Sequence, residues 1–375
     1  MLSTKAIQER KKLQVAILGG GSWGTAISRI VAKNAEKYSI FSSSVYMWIR
    51  NELFKEEQLT EYMNREHENP KYLPGIKLPT NLIVISDFSL LDTADLLIFA
   101  VPHQYLENLV IQLKGCVSPK AHGISLIKGL GVRDGSPFLF SNVIHEQLGI
   151  TCSVLSGANV ALNIARNEFS ETTIGYPLDN VEIASVWQRL FDDATFKVNC
   201  LPDIKGIEIC GALKNVIALG AGFCDGMKLG SNTKAAIIRI GFEEMRFFAS
   251  YFFSPIFFET FFDSAGYPDV ITTCFGGRNV KCAEAFIQSE NGKDWTVLES
   301  TMLNGQKLQG PPTCSDVYKV ICHHHLQKKM PFFVTVYEIS FNHLNPQELI
   351  HRFTTNTLRV IQYVADCTPL RHTLA

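Results

Sequence analysis

The chain has 375 residues, 46% hydrophobic and 19% charged, which is the material of ordinary globular cores and, by length, of two domains. Lys plus Arg number 35 against 36 Asp plus Glu, a formal net charge of −1. That balance argues against a broad basic surface for nucleic acid or anionic membrane, so any anionic substrate must be held by local charges. Ten cysteines are scattered singly with no C-x-x-C pair. Neither the charged start MLSTKAIQERKKLQ nor the ending HTLA reads as a secretory or peroxisomal address, so a cytoplasmic protein with reduced thiols is expected.

From residue 13, LQVAILGGGSWGTAISRIVAKNA runs from a short apolar strand through clustered glycines into a helix. Gly19, Gly21 and Gly24 form G-x-G-x-x-G where the strand ends. Gly19 permits a tight turn, Gly21 lets backbone approach a pyrophosphate, and Gly24 allows close helix–strand packing, while helix N-terminal amides meet the anion. Gly20, Ser22 and Trp23 complete this candidate cofactor cradle. The next strand, 45–49, ends in YMWIRNE, with Arg50 and Asn51 ahead of Glu52. An acid at that point takes a ribose hydroxyl, whereas Arg50 can stack on adenine or meet a 2′-phosphate, so NAD and NADP both stay open.

Further apolar runs at 82–85, 96–101, 123–127 and 153–155 alternate with helical stretches, which predicts an α/β, doubly wound parallel sheet. IFAVPHQY (98–105) and ISLIKG (124–129) close two of these strands, and such carboxyl ends face the ligand crevice. Lys128 can reach a substrate anion there; His103 either positions the nicotinamide or is structural. Around residues 199–205 the pattern becomes mainly helical, placing a dinucleotide-binding domain at 1–200 and a helical domain at 201–375.

Within IEICGALKNVIALGAGF (207–223), apart from Glu208 and Asn215, Lys214 is the one strongly polar residue. A helix with no charged face is packed on nearly all sides. Its lysine is either desolvated and paired, with a lowered pKa suited to proton transfer, or it snorkels to the surface. The aromatic run FFASYFFSPIFF (247–258) falls short of the ~20 residues that span a bilayer and reads as a buried helix broken by Pro255, in the core or in a subunit interface. GYPDVITTCFGGRN (266–279) brings together Asp269, able to orient a lysine, Arg278, whose fork matches phosphate, and Thr273 and Asn279; a surface cap and turn is the plainer alternative. LNGQKLQGPPT (303–313) suits a loop carrying Lys307 and Gln309. The run His323, His324 and His325 lacks metal-ligand spacing and reads as a solvated helical face, so no metal site is expected. The tail beyond Thr354 has an amphipathic pattern at Leu358, Ile361 and Val364.

Taken in order, GGGSWGTAI, HENPKYLPG, VPHQ, SLIKG, GAN (157–159), CGALKNVIALGAGFCDGM, NTKAAIIR, GYPDVITTCFGGRN and LNGQKLQGP resemble the NAD-dependent glycerol-3-phosphate dehydrogenase family, in particular its eukaryotic cytosolic branch, from about residue 13 to about residue 352. The resemblance implies a Rossmann-type N-terminal domain, a mainly α-helical C-terminal domain, a homodimer, NAD as cofactor and a small phosphate substrate, with no nucleic-acid or membrane partner. It implies that Lys214 gives and takes the proton at the carbinol oxygen, with Lys128 and Asn159 nearby and Asp269 and Thr273 in support. Arg278 and Asn279 would hold the phosphate, Asn215 would join the substrate site, and Lys307 and Gln309 would close over the cofactor. Arg50, Phe99, Pro102, Lys128, Ala161 and Arg278 would also touch the cofactor. Eukaryotic members often carry an aromatic residue where Arg50 stands. Two rival readings are a dehydrogenase of similar build acting on a hydroxy acid or sugar acid, and a catalytically silent dinucleotide binder.

Overall fold

The computed structural model describes residues 11–289, 294–303 and 307–354. In chain order the first half contains β1 (Leu13–Leu18), α1 (Ser22–Lys37), β2 (Phe41–Trp48), the hairpin β3 (Leu53–Phe54) and β4 (Glu57–Gln58), α2 (Leu59–Glu66), β5 (Leu82–Ile85), β6 (Leu96–Phe99), α3 (Leu106–Leu113) and β7 (His122–Ser125). It continues with the hairpin β8 (Gly131–Arg133) and β9 (Ser136–Phe138), α4 (Phe140–Leu148), β10 (Thr151–Ser156), α5 (Ala161–Ala165), β11 (Ser170–Gly175), α6 (Val181–Phe191) and β12 (Phe196–Leu201). Eight of these strands form one sheet in the order β12-β11-β10-β7-β6-β1-β2-β5.

All neighbours in that sheet are parallel except β10 and β11, which pair antiparallel. The central strands are covered on both faces, which is why β6 reads LLIF and is buried at every position. Register aligns Leu18 with Trp48 and Phe99, and Phe99 with Ser125. The carboxyl ends of β1, β2, β6 and β7 therefore open onto one edge.

Beyond Leu201 there is no strand among the described residues. α7 (Ile204–Gly226) runs through the middle of the second half, with every residue from Gly206 to Cys224 buried. Packed around it are α8 (Ser231–Phe253), α9 (Tyr267–Gly276), α10 (Arg278–Gln288), α12 (Gly310–His323) and α13 (Pro331–Phe341), and it also touches β10. α11 (Trp295–Met302) and α14 (Glu348–Thr354) complete the set. By length and composition α7 could cross a membrane, yet its whole apolar window is enclosed by protein. Glycine makes the tight packing possible: a Cβ on Gly222 would lie 2.3 Å from Val280 O. Burial of each large aliphatic side chain along α7 stabilises the fold by about 1.5–3 kcal/mol.

Buried carboxylates fasten the helix starts. Asp203 accepts from Gly206 N (2.8 Å), Phe257 N (3.1 Å) and Thr260 Oγ1 (2.6 Å), tying the start of α7 to the segment after α8. Glu208 accepts from Phe140 N (2.6 Å) and Ser141 Oγ (2.5 Å), joining α7 to the N-terminus of α4 in the first half. Burial pushes the Glu208 carboxyl up to about 7, with the Ser141 hydrogen bond acting against it.

The aromatic run is broken at Pro255 as expected, but it is not buried throughout. α8 ends at Phe253, before Pro255, and buries only one stripe of the run. Phe248 and Phe261 are buried, whereas Tyr251 (53%), Phe258 (56%) and Phe262 (61%) are exposed. At the histidine run, α12 ends at His323 and His324 turns inward, its ring 4.9 Å from that of Phe252, so only part of the run is solvated. The pattern at Leu358, Ile361 and Val364 lies outside the described residues.

Candidate active site

Around the glycine turn, Gly19 has φ +120°, and a Cβ there would lie 2.6 Å from Ala100 O. A Cβ on Gly24 would lie 2.0 Å from Gly19 O, whereas Gly21 faces nothing within 4 Å. Gly21 is the N-cap of α1 and supplies no side-chain cap. The turn therefore leaves open room and helix N-terminal amides directed at it, which fits a dinucleotide pyrophosphate. Ser22 Oγ donates to Tyr72 O (3.2 Å), and Trp23 lies half-buried against Phe196. Phe99 is buried at the end of β6, Pro102 is exposed just beyond it, and Ala161 begins α5, half-buried.

In the helical half, Lys214 does not snorkel: it is 6% exposed and pairs with Asp269 Oδ1. The other oxygen, Oδ2, accepts from Lys128 Nζ at 3.1 Å, and Lys128 also donates to Gly157 O at 3.0 Å. One carboxylate, itself 1% exposed, is thus shared by two lysines, one from each half of the chain. Burial lowers the Lys214 pKa to about 7; the Asp269 charge opposes this and the Lys128 charge adds to it. Two cations for one anion leave Lys214 easier to deprotonate than an isolated ion pair would.

Thr273 sits one turn along α9 from Asp269 and donates to its backbone carbonyl at 2.7 Å. Asn215, beside Lys214, donates to Gly211 O and Ala212 O, and its Oδ1 accepts from Asn279 Nδ2 at 2.9 Å. Asn279 Oδ1 accepts in turn from Gly310 N at 3.0 Å. This chain of amides joins α7, α10 and the start of α12. Arg278 opens α10 and is exposed.

Other candidates lie around this cluster. Asn159 is turned toward β11: its Nδ2 donates to Glu171 O (2.8 Å) and its Oδ1 accepts from Thr172 (2.9 Å). Its neighbour Gly157 supplies the carbonyl to Lys128, a backbone contact that residue types do not announce. Lys307 pairs with Glu299 at 2.7 Å, and Gln309 precedes α12. His103 stacks on Phe140 (centroids 5.5 Å apart) against Gly129; burial lowers its pKa, with Gln309 acting against the shift. Arg50 is exposed just past β2. Among the described residues no group of histidine, cysteine and carboxylate side chains could hold a metal, and the cysteines are free thiols.

A doubly wound sheet carrying an open glycine turn, closed by a helical half that supplies a buried lysine, is the architecture of two-domain dinucleotide-dependent dehydrogenases. Residues 14–182 match the NAD-dependent glycerol-3-phosphate dehydrogenase N-terminus, and residues 203–351 match the C-terminus of the same family. The cytoplasmic NAD(+) glycerol-3-phosphate dehydrogenase of Homo sapiens is 46% identical over 340 residues, covering 90% of this chain and 96% of the human one. A glycerol-3-phosphate dehydrogenase 1-like protein of Danio rerio is 45% identical over 341 residues, with 90% and 96% covered. The glycerol-3-phosphate dehydrogenase structure from Plasmodium falciparum superposes with a TM-score of 0.88 at 43% identity, covering 92% of this chain and 96% of that one. The chain belongs to the NAD-dependent glycerol-3-phosphate dehydrogenase family, and its cofactor is NAD.

Proposed function

We propose that the enzyme interconverts dihydroxyacetone phosphate and sn-glycerol 3-phosphate, with Lys214 as general acid and base. The observation that supports this most is the buried Lys214–Asp269–Lys128 cluster at the junction of the two halves. When bound, the nicotinamide supplies hydride to C2 of the ketone or takes it from the alcohol. Lys214 Nζ, as ammonium, protonates the oxygen at C2 during reduction and, as amine, accepts that proton during oxidation. Asp269 orients Lys214 and balances its charge, and Lys128 contributes a second positive charge beside the reacting oxygen. Thr273 holds the turn of α9 that carries Asp269. Arg278, at the start of α10 with the helix amides behind it, takes the substrate phosphate, remote from the reacting carbon. Asn215 and Asn279 act by fixing α7 against α10, and Asn159 by fixing the 157–159 turn to β11.

The deciding assay follows absorbance at 340 nm with dihydroxyacetone phosphate and NADH. Oxidation of NADH that requires this ketone supports the reading; bound NADH without turnover restores the silent binder, and turnover only with hydroxy-acid or sugar-acid partners restores the other rival. Arg278→Ala is expected to raise the substrate KM by about tenfold or more, the worth of a charge-assisted hydrogen bond. An unchanged KM would remove Arg278 from the phosphate site.

The two family matches, 14–182 and 203–351, support a division into a dinucleotide-binding unit and a helical substrate unit near residue 200. The cytoplasm is the proposed location, in keeping with the names of the relatives. A homodimer that covers the exposed Phe258 and Phe262, whose rings lie 5.0 Å apart, is proposed as well, because an apolar patch on a globular surface marks an interaction site. Sedimentation should give twice the 41.9 kDa chain mass, and Phe258→Glu should return it to a single chain. A wild-type monomer would count against the dimer.

A further inference from the structure

We infer that the adenosine end of the cofactor site also accepts a 2′-phosphate, so that NADP-class dinucleotides serve beside NAD, and that Arg50 is the residue that meets this group. The inference deepens the dehydrogenase reading above and rests on it.

Three observations converge on Arg50. The first is its place. β2 lies beside β1 with Trp48 opposite Leu18, Trp48 O accepts from Gly19 N at 2.9 Å, and a Cβ on Gly20 would meet Ile49 Cγ2 at 2.4 Å. The chain thus leaves β2 directly against the glycine turn, and Arg50 is the second residue past the strand. In dinucleotide-binding sheets this is where the ribose is read, by an acid that takes the 2′-hydroxyl or by an arginine that takes a 2′-phosphate.

The second is the state of the acids nearby. Glu52 is paired with Lys71, which cancels its charge. Asp87 follows β5, whose Ile85 O accepts from Ile49 N at 2.9 Å, and the Asp87 carboxylate accepts from Ser89 N at 2.8 Å. The acid nearest to Arg50 in sequence, Glu52, is thus already held by a lysine, while Asp87 caps its own turn.

The third is the arginine itself. Arg50 is exposed and makes no hydrogen bond or ion pair among the described residues. A guanidinium fork left without an anion beside a nucleotide cradle has the shape and charge for a phosphomonoester, which carries about −1.5 to −2 at neutral pH. The half-buried Trp48 is fixed by its Nε1 bond to Ser86 O (3.2 Å) and its contact with Phe88, and borders the same edge.

The test uses the full chain and two readouts. In initial-rate assays, the wild type is expected to oxidise NADPH as well as NADH. Arg50→Phe should then lower the NADPH-to-NADH ratio of kcat/KM by about 10- to 100-fold, the worth of a hydrogen bond to a charged group. Added salt should weaken NADPH more than NADH, because the extra contact is an exposed ion pair. In calorimetry, adenosine 2′,5′-bisphosphate should bind the wild type about tenfold tighter than adenosine 5′-phosphate, and this preference should vanish in Arg50→Phe. Turnover of NADH alone, or a ratio indifferent to the substitution, overturns the inference while leaving the proposed function standing. Should neither cofactor be oxidised, the proposed function fails, and the calorimetric preference alone decides whether Arg50 reads a 2′-phosphate.

Discussion

Lys214→Ala is expected to lower kcat by about 100-fold or more in both directions while leaving the fold in place. The side chain ends in a cluster in which Asp269 keeps a second cation, Lys128, so its removal does not leave the buried carboxylate without a counter-charge. Truncation removes a methylene stem from a packed helix, a cost the large core around α7 can absorb. The loss is therefore one of proton transfer rather than of structure. With the Lys214 pKa lowered to about 7, oxidation, which needs the amine, should gain as pH rises through neutrality, and reduction, which needs the ammonium, should decline over the same interval. Lys214→Ala should flatten both limbs. Turnover within a few-fold of wild type, with the limbs intact, would show that another group moves the proton.

Asp269→Ala is expected to do the reverse kind of damage, lowering stability by about 3–5 kcal/mol along with activity. Here two lysines lose their one shared anion, and Lys214, 6% exposed, has no water to replace it. Its escape is to shed its proton, so the pKa should fall further below 7 and reduction should retreat to lower pH than in the wild type. Asp269→Asn keeps the volume and a hydrogen-bond acceptor, and so should recover part of the stability but not the charge balance. Denaturant unfolding of both variants, with the pH profile of reduction, separates these effects. Wild-type stability in Asp269→Ala would mean that the two lysines do not depend on this carboxylate.

Residue types announce some parts of this fold and leave others silent. The glycine turn was legible because each glycine has its own steric reason, and β6 because a strand covered on both faces is apolar throughout. β11 was not, because SETTIG is mostly polar: Thr172 and Thr173 are buried with their hydroxyls bonded to Ser156 O and Asp263, contacts that no local pattern encodes. β12 alternates between buried and exposed positions at the sheet edge and has no apolar run. In the site, a lysine in an apolar helix pointed to a buried charge, and an aspartate in a distant segment to its partner. The doubling of that partnership by Lys128, and the capture of Lys128 by the Gly157 carbonyl, arise from where β7 and β10 end, which only the assembled sheet decides. Lys307 likewise pairs with Glu299 at 2.7 Å, a contact that the loop motif does not announce.

The enclosure of α7 has a consequence for the chain before it is folded. While it is being synthesised, residues 204–226 have the length and apolarity of a membrane segment and no polar stripe on which to rest in water. Their covering comes largely from helices that are made later, α8, α9, α10, α12 and α13. The nascent chain therefore holds Lys214 on an apolar piece that stays uncovered until its own C-terminal half arrives, the stage at which exposed hydrophobic surface favours aggregation.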